Sequence, residues 1–474
     1  MRRDISTAVA SASGLDPADR QTVLGLVETY LQKLPRNELR RDFYLGHRRA
    51  RDLGISTPPK LRDLEQSCGW PAKAVNSLAD RSQFDGFVCD DEGAAEELRQ
   101  VVAENGLKRA YRQAVKSELT YCCSFLTVTA GDASLGEPPA VVSCYEARSA
   151  SALWDEAGRA LRAGMVVVGR DRRPNMGDEP TWVDVFTADA VIRIRRAPGV
   201  SDWRAEYLRH SMGRPLIEPM AHDASLDRPF GRSRITREVM GLADDAQRGS
   251  RRAEIAAEFA TSAQKYLLGA DREALGDQSK WDAYVGSIFA VSKDADGDVP
   301  QFGQLQQPSM QPHIDYMRSL AARFSAATNV PLSELGVVTD NPSSAEAIYA
   351  AKEALVIDAQ NLNADNGRAL ENVARMALAV RRGTDFSAQS GGVVTARFRN
   401  PAMPSLVSQA DAILKIVQAI PWLAESDVTL EELGFADDQM QRMRSDRRRA
   451  QGAALVASVA PQGAGARDAG AAQG

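Results

Sequence analysis

Long apolar runs are missing from this chain of 474 residues. The longest are short stretches such as Met165–Val168, well under the length a helix needs to cross a bilayer, so a membrane-spanning protein is excluded. An excess of positive charge is missing too. With 63 acidic against 58 basic residues the formal net charge is −5, and the pI is near 5.7. Tight binding of nucleic acid depends on lysine and arginine neutralising phosphates, so any contact with DNA is expected to be loose. Cysteine is scarce, with five residues (Cys68, Cys89, Cys122, Cys123 and Cys144). That count is odd and the spacing irregular, which fits reduced thiols and not a disulfide framework. The adjacent Cys122 and Cys123 lie in the apolar stretch YCCSFLTV and read as buried structural thiols that hold no metal. The opening residues, MRRDISTAVASASGLDP, carry two arginines with no continuous apolar core behind them, so they do not form a secretory signal and a cytosolic origin is expected.

Catalytic motifs are also lacking. There is no phosphate-cradling G-x-x-x-x-G-K-[ST] and no zinc-binding H-E-x-x-H. The four histidines (His47, His210, His222, His313) are scattered singly. A nucleophile elbow fails because Gly231-Arg232-Ser233-Arg234-Ile235 lacks the closing glycine. The run Asp294-Ala295-Asp296-Gly297-Asp298 begins like a calcium loop, but its sixth position is Val299 and its twelfth is Leu305, where such a loop needs glycine and glutamate. A turn with solvated acids is the simpler reading. Arg251-Arg252 and Arg447-Arg448-Arg449 read as solvated helix faces in preference to phosphate contacts. No catalytic, metal or cofactor residue is expected.

What is present is ordinary globular composition, 44% apolar and 26% charged, over a length that calls for two or more structural regions. Residues 1–231 read as α+β. Asp16-Pro17 opens a helix over 16–34 that places Val23, Leu26, Val27, Tyr30, Leu31 and Leu34 at helical spacing. A second helix is predicted over 92–119, using Leu98, Val101, Val102, Tyr111 and Val115. The period then changes to strands over 125–130, 140–144, 165–169, 181–187 and 190–195, which are rich in β-branched residues and divided by turn residues.

After Pro229-Phe230-Gly231 the pattern is helical for nearly forty residues, interrupted only by Gly249. Residues 270–308 form a small β-containing insert with Trp281, Tyr284, Val285, Ile288, Phe289 and Val291, and a further helix is predicted over 310–328. An insert between two antiparallel helices reads as a stalk with a tip. Residues 329–345, NVPLSELGVVTDNPSSA, form a loop in which Pro331, Gly336 and Pro342 oppose a regular helix. Ser343 and Glu346 have capping-box spacing and mark the next helix start. Apolar positions from Ile348 to Val380 then repeat every three or four residues, a very long helix with Gly367 as the place for a kink. A strand over 393–399, helical residues 405–450 and an Ala/Gly-rich tail over 452–474, expected to be disordered, complete the chain.

Several of these stretches, in their order, resemble phage portal proteins, in particular those of long-tailed phages of actinobacteria. They are FYLG (43–46), CGWPAKAVNSLADRSQFDGF (68–87), RPFGRSRITREV (228–239) and, most specifically, AARFSAATNVPLSELGVVTDNPSSAEAIYAAKEAL (321–355). The resemblance spans residues 30–450. It implies a portal fold and a closed ring, usually of twelve subunits, that replaces one pentamer at a capsid vertex.

Mapped onto this chain, the resemblance implies an α/β wing over 1–231 with part of 346–404, and an antiparallel helical stem over 232–268 and 309–328. It further implies a clip over 269–308, a tunnel loop over 329–345, a long kinked tunnel helix after 346 and a helical crown over 405–451. The polar tunnel-loop residues Ser333, Glu334, Asp340, Asn341 and Ser343 are expected beside passing double-stranded DNA, where a rim without lysine or arginine keeps the contact weak. Trp281, Tyr284, Ile288 and Phe289 of the clip are expected to pack between subunits and to meet partners. The partners implied are copies of the same chain, the major capsid protein, the terminase large subunit and the head–tail adaptor. The place implied is the virion, after synthesis in the host cytoplasm. The alternatives are another head–tail connector or minor capsid protein, which length disfavours, and a metal-dependent nuclease with a site split across distant residues.

Overall fold

A computed structural model describes residues 2–51, 66–171, 179–197, 202–261, 265–268, 301–304, 309–336, 345–402 and 406–459, the last span with breaks at 427–428, 431–432, 434 and 436. The chain divides into one compact unit up to Pro401 and a second from Ala402.

The first unit begins with helix α1 (Arg2–Ala10) and helix α2 (Pro17–Leu45). Asp16 caps α2 by accepting from the Ala18 N–H, with Pro17 in the first turn, as the sequence leads one to expect. The helix then runs through Pro35, past the predicted end at 34. Its second half is held from outside: buried Asn37 donates to the Ala147 carbonyl at 3.0 Å, and Arg148 pairs with Glu38 at 2.8 Å. Tertiary contacts here offset the hydrogen bond that proline removes.

A five-stranded antiparallel meander follows later in the chain, formed by β4 (Ala150–Asp155), β5 (Ala160–Asp171), β6 (Glu179–Phe186), β7 (Ala190–Arg195) and β8 (Arg204–Arg209). Val23, Leu26, Val27 and Tyr30 of α2 pack on Met165, Val167, Val183, Val185, Ile192 and Ile194 of this sheet, making one core.

The larger core is assembled from distant parts of the chain. Helix α3 (Trp70–Ala79), strand β1 (Phe84–Cys89), helix α4 (Glu92–Glu104) and helix α5 (Leu107–Tyr121) lead into β2 (Cys123–Ala130), the central strand between β3 (Ala140–Glu146) and β9 (Ile217–Ala221). The single helix expected over 92–119 is two. Gly106 breaks it with φ +55, and the Asn105 side chain turns to the β3 edge, donating to the Ala140 carbonyl and accepting from the Val142 N–H.

Helix α6 (Arg237–Thr261) and helix α7 (Gln311–Thr328) form the expected hairpin. A Cβ at Gly249 would lie 2.9 Å from Met317 Sδ and 3.2 Å from Tyr316 Cε1, so this glycine lets the two helices close on each other. The helical stretch is shorter than predicted, because residues 265–268 are strand β10 (Lys265–Leu268), paired antiparallel with β11 (Gln301–Gln304). This two-stranded stub closes the base of the insert. Trp281, Tyr284, Ile288, Phe289 and the acidic run 294–298 lie outside the described residues.

Helix α8 (Ala345–Arg382) has 38 residues, roughly 57 Å at 1.5 Å per residue. It is helical through Gly367, the position expected for a kink, where a Cβ would meet only Phe398 at an ordinary 3.6 Å. From Leu355 to Ala377 its buried face joins the larger core. Strand β12 (Val394–Phe398) returns to pair antiparallel with β1, so a sheet is closed across more than three hundred residues of chain.

The second unit holds α9 (Leu406–Ala419), a short 3-10 turn (Pro421–Glu425) and α10 (Asp437–Val459). Helix α10 passes the expected start of the tail at 452.

Candidate functional site

The segment between α7 and α8 was the strongest candidate in the sequence, and its first half is described. Helix α7 stops because Asn329 takes the left-handed conformation, φ +55, which asparagine tolerates better than most residues. Pro331 then starts a 3-10 turn over Leu332–Leu335, ended by Gly336 at φ +79. Ser333 is exposed and Glu334 half-buried on this turn. Asp340, Asn341 and Ser343, with the expected capping box, lie outside the described residues.

Glu334 faces inward. Its Oε2 lies 3.0 Å from Lys73 Nζ and accepts from Ser77 Oγ at 3.1 Å. Its Oε1 lies 3.6 Å from Arg81. Burial raises the carboxyl pKa, but Lys73, Ser77 and Arg81 outweigh it and hold the group below its ordinary value. The carboxylate thus ties the turn to α3, and two cations already meet its charge. A rim free of lysine and arginine holds for the loop's own sequence and not for its surroundings.

A second tie lies beneath the turn. Arg234, in the lead-in to α6, is almost wholly buried. Its Nε donates to the Ala74 carbonyl of α3 at 2.7 Å, and it also donates to the Thr328 carbonyl at the end of α7. Its remaining nitrogen lies 3.4 Å from Asp358 of α8. Asn329 Nδ2 donates to that same Asp358 carboxylate at 3.0 Å. One guanidinium therefore joins α3, the α6 lead-in, the carboxyl end of α7 and α8, which suits its planar fork of donors and the negative end of a helix dipole. Ser233 beside it donates to the Thr120 carbonyl at 2.6 Å. These bonds occupy residues 233–234, and α6 accordingly starts at Arg237 and not at 232.

A buried polar chain fixes α8 against α5. Ser82 Oγ donates to Asn363 Oδ1 at 2.6 Å and takes the Tyr111 hydroxyl proton at 2.6 Å. Asn366 Nδ2 reaches both the Tyr111 oxygen at 3.2 Å and Glu118 Oε2 at 2.9 Å. Burial pushes the Glu118 pKa up to about 8 and raises that of Tyr111 well above its ordinary value. None of Lys73, Arg81, Arg234 or Glu118 stands out in the sequence. The available signal for Glu118 was its place seven residues after Tyr111 on the apolar face of α5.

Among the described residues no three His, Cys, Asp or Glu side chains gather to hold a metal, and no helix is long and apolar enough to cross a membrane. The arrangement is a scaffold that fixes a helical hairpin, a turn and a long helix at one junction.

The family model described as "Phage portal protein, SPP1 Gp6-like" matches residues 26–453. The portal protein of Mycobacterium phage D29 is 26% identical over 442 residues, covering 90% of this chain and 88% of the relative. That of Mycobacterium phage L5 is 26% identical over 450 residues, with the same coverage. Among solved structures, a chain in the neck of a native gene transfer agent particle, computed with C12 symmetry, is similar with a TM-score of 0.44 at 13% identity, over 83% of this chain and 98% of that one. The chain belongs to the SPP1 Gp6-like phage portal protein family, which is structural in character. Its function is that of a portal, the passage for genome packaging and ejection.

Proposed function

We propose that copies of this chain close into a ring, usually of twelve, that occupies one vertex of the capsid and passes double-stranded DNA through its centre without sequence specificity. The observation that carries this reading is the junction at Arg234, where the α6–α7 hairpin, the following turn and α8 are bound to one side chain within a chain matched to the portal family from 26 to 453. A hairpin so held serves as a stem, and the turn it delivers serves as the base of a tunnel loop. Exposed apolar side chains support self-association: Ile314 and Tyr316 on α7 are 45% and 42% exposed, and Ile357 on α8 is 49% exposed. Contact between neighbouring subunits is the means of covering them.

In this reading residues 269–308 form the clip. Trp281, Tyr284, Ile288 and Phe289 pack between neighbours and present the tip to the terminase large subunit and later to the head–tail adaptor. The wing meets the major capsid protein, and residues 405–451 form the crown. Asp340, Asn341 and Ser343 line the channel rim, with Ser333 beside them, while Glu334 anchors the loop. The protein is made in the host cytoplasm and acts without a cofactor or catalytic residue. Negative-stain imaging with light scattering tests the ring. The expected result is annular particles with a mass many times 51.4 kDa; a monomer under all conditions overturns the reading.

A further inference from the structure

The vicinal thiols Cys122 and Cys123 do not sit as the sequence leads one to expect. Cys123 is buried, but Cys122 is only half-buried, and both line a cavity of about 1040 Å³ between α2, the α5–β2 junction and the strap leading to α6. Their sulfurs are 3.9 Å apart. Cys122 holds φ +104, a conformation costly for a residue with a Cβ. The lining is cationic, with Lys33, Arg36, Arg40, Arg228, Arg232 and Arg237 against Asp227; Arg228 pairs with Asp227 at 3.5 Å and Arg232 with Asp223 at 3.9 Å, which leaves the α2 cations and Arg237 in excess. Arg40 donates to the Tyr121 carbonyl at 2.7 Å, while its buried Nε has no hydrogen-bond partner.

We propose that Cys122 and Cys123 form a thiol–disulfide exchange site for a small anionic disulfide of the glutathione type. The cationic lining draws in the carboxylates of such a molecule. The Cys122 thiolate, favoured by a hydrogen bond from Cys123 and by Arg40 and Lys33, attacks one sulfur of the disulfide. One thiolate leaves, and a mixed disulfide forms on Cys122. The Cys123 sulfur then attacks Cys122 and expels the second thiolate, which takes up the Cys123 proton. The chain ends with a Cys122–Cys123 disulfide and two molecules of reduced thiol, so the two electrons lost by the protein reduce the incoming disulfide. Adjacent Cα atoms lie about 3.8 Å apart, below the usual span of a disulfide, so the product is strained and readily reduced again.

Full-length protein incubated with oxidised glutathione, quenched in acid and analysed by intact mass and peptide mapping tests the site. The expected product is a mass lower by the two thiol hydrogens, mapped to the peptide holding Cys122 and Cys123. In Cys123→Ser a single glutathione is retained on Cys122, and Cys122→Ser does not react. A stable glutathione adduct on the wild-type chain, reaction at Cys68, Cys89 or Cys144 in its place, or no reaction overturns the proposal. At low salt, oxidised glutathione should react several-fold faster than neutral bis(2-hydroxyethyl) disulfide, with the difference lost as salt is added. Equal rates at low salt overturn the role of the cationic lining.

Discussion

Glu118 is wholly buried on α5, with Oε2 bonded to Asn366 and Oε1 without a hydrogen-bond partner. Burial therefore disfavours the charged form, the hydrogen bond from Asn366 opposes this only in part, and the Asp365 and Cys122 charges add repulsion. The folded pKa, about 8, lies above that of an unfolded glutamate, about 4.3. The folded state holds the proton more tightly, so this group's contribution is fully present below pH ~4 and declines with slope up to ~1.4 kcal/mol per pH unit until about pH 8. Glu118→Gln keeps the shape and cannot ionise. It should be more stable than wild type at pH 8, with the margin shrinking toward pH 5 in thermal unfolding; parallel curves at both pH values would sink the assignment. Arg234 poses a different problem, since its loss strands the Ala74 and Thr328 carbonyls and the Asp358 carboxylate together. Arg234→Met should cost about 3–5 kcal/mol, read as a large fall in unfolding temperature. Arg234→Lys should recover little, because an ammonium cannot span all three acceptors. A lysine variant as stable as wild type would show that the bridging geometry does not matter.

Elements were legible where one residue pattern dominated. β2, β3, β6, β7 and β12 lie within about two residues of their predicted bounds, whereas β5, predicted over 165–169, runs Ala160–Asp171. β8, RAEYLR, alternates at the sheet edge with mostly exposed side chains, and β1 is defined by pairing with a strand near the other end of the fold; neither leaves a local signal. The α6–α7 hairpin and long α8 were legible from periodicity, while the start of α6 was set by the bonds at residues 233–234 and its end by the β10–β11 pair. The loop after α7 was legible as a loop from its Pro and Gly, but not the inward turn of Glu334, which depends on Lys73 and Arg81 some 250 positions earlier. That geometry separates two substitutions. Glu334→Gln should free the turn from α3 and speed limited proteolysis within 329–345 several-fold, without a salt-sensitive packaging defect. Asp340→Lys adds one cation per subunit to the proposed rim, so rings should assemble yet package DNA poorly at low salt and better at higher salt. Normal low-salt packaging by Asp340→Lys would remove this loop from the DNA path.

At the scale of the whole molecule, the helix–insert–helix order pointed to a stem and clip, and the ordered motifs pointed to the portal family that the match over 26–453 shows. Assembly is less legible, because a ring arises from contacts between copies that a single chain does not contain. The proposed clip offers the sharpest test of assembly. The β10–β11 stub that closes its base is only four residues per strand, and an isolated two-stranded hairpin of that size is marginal in water. In the proposed reading neighbouring subunits supply further support through Trp281, Tyr284, Ile288 and Phe289. If Trp281 packs between neighbours as proposed, its removal should cost about 2 kcal/mol, about thirtyfold in affinity per contact. Trp281→Ala should thus shift the ring-to-subunit balance toward smaller species in analytical ultracentrifugation, or leave rings intact with weakened terminase and adaptor binding. The variant Lys415→Ala, whose pair with Asp411 is exposed, should change neither and serves as the control. If Trp281→Ala rings persist on dilution like wild type and bind both partners equally well, the insert is not the clip contact, and the search for subunit contacts moves to the exposed faces of α7 and α8.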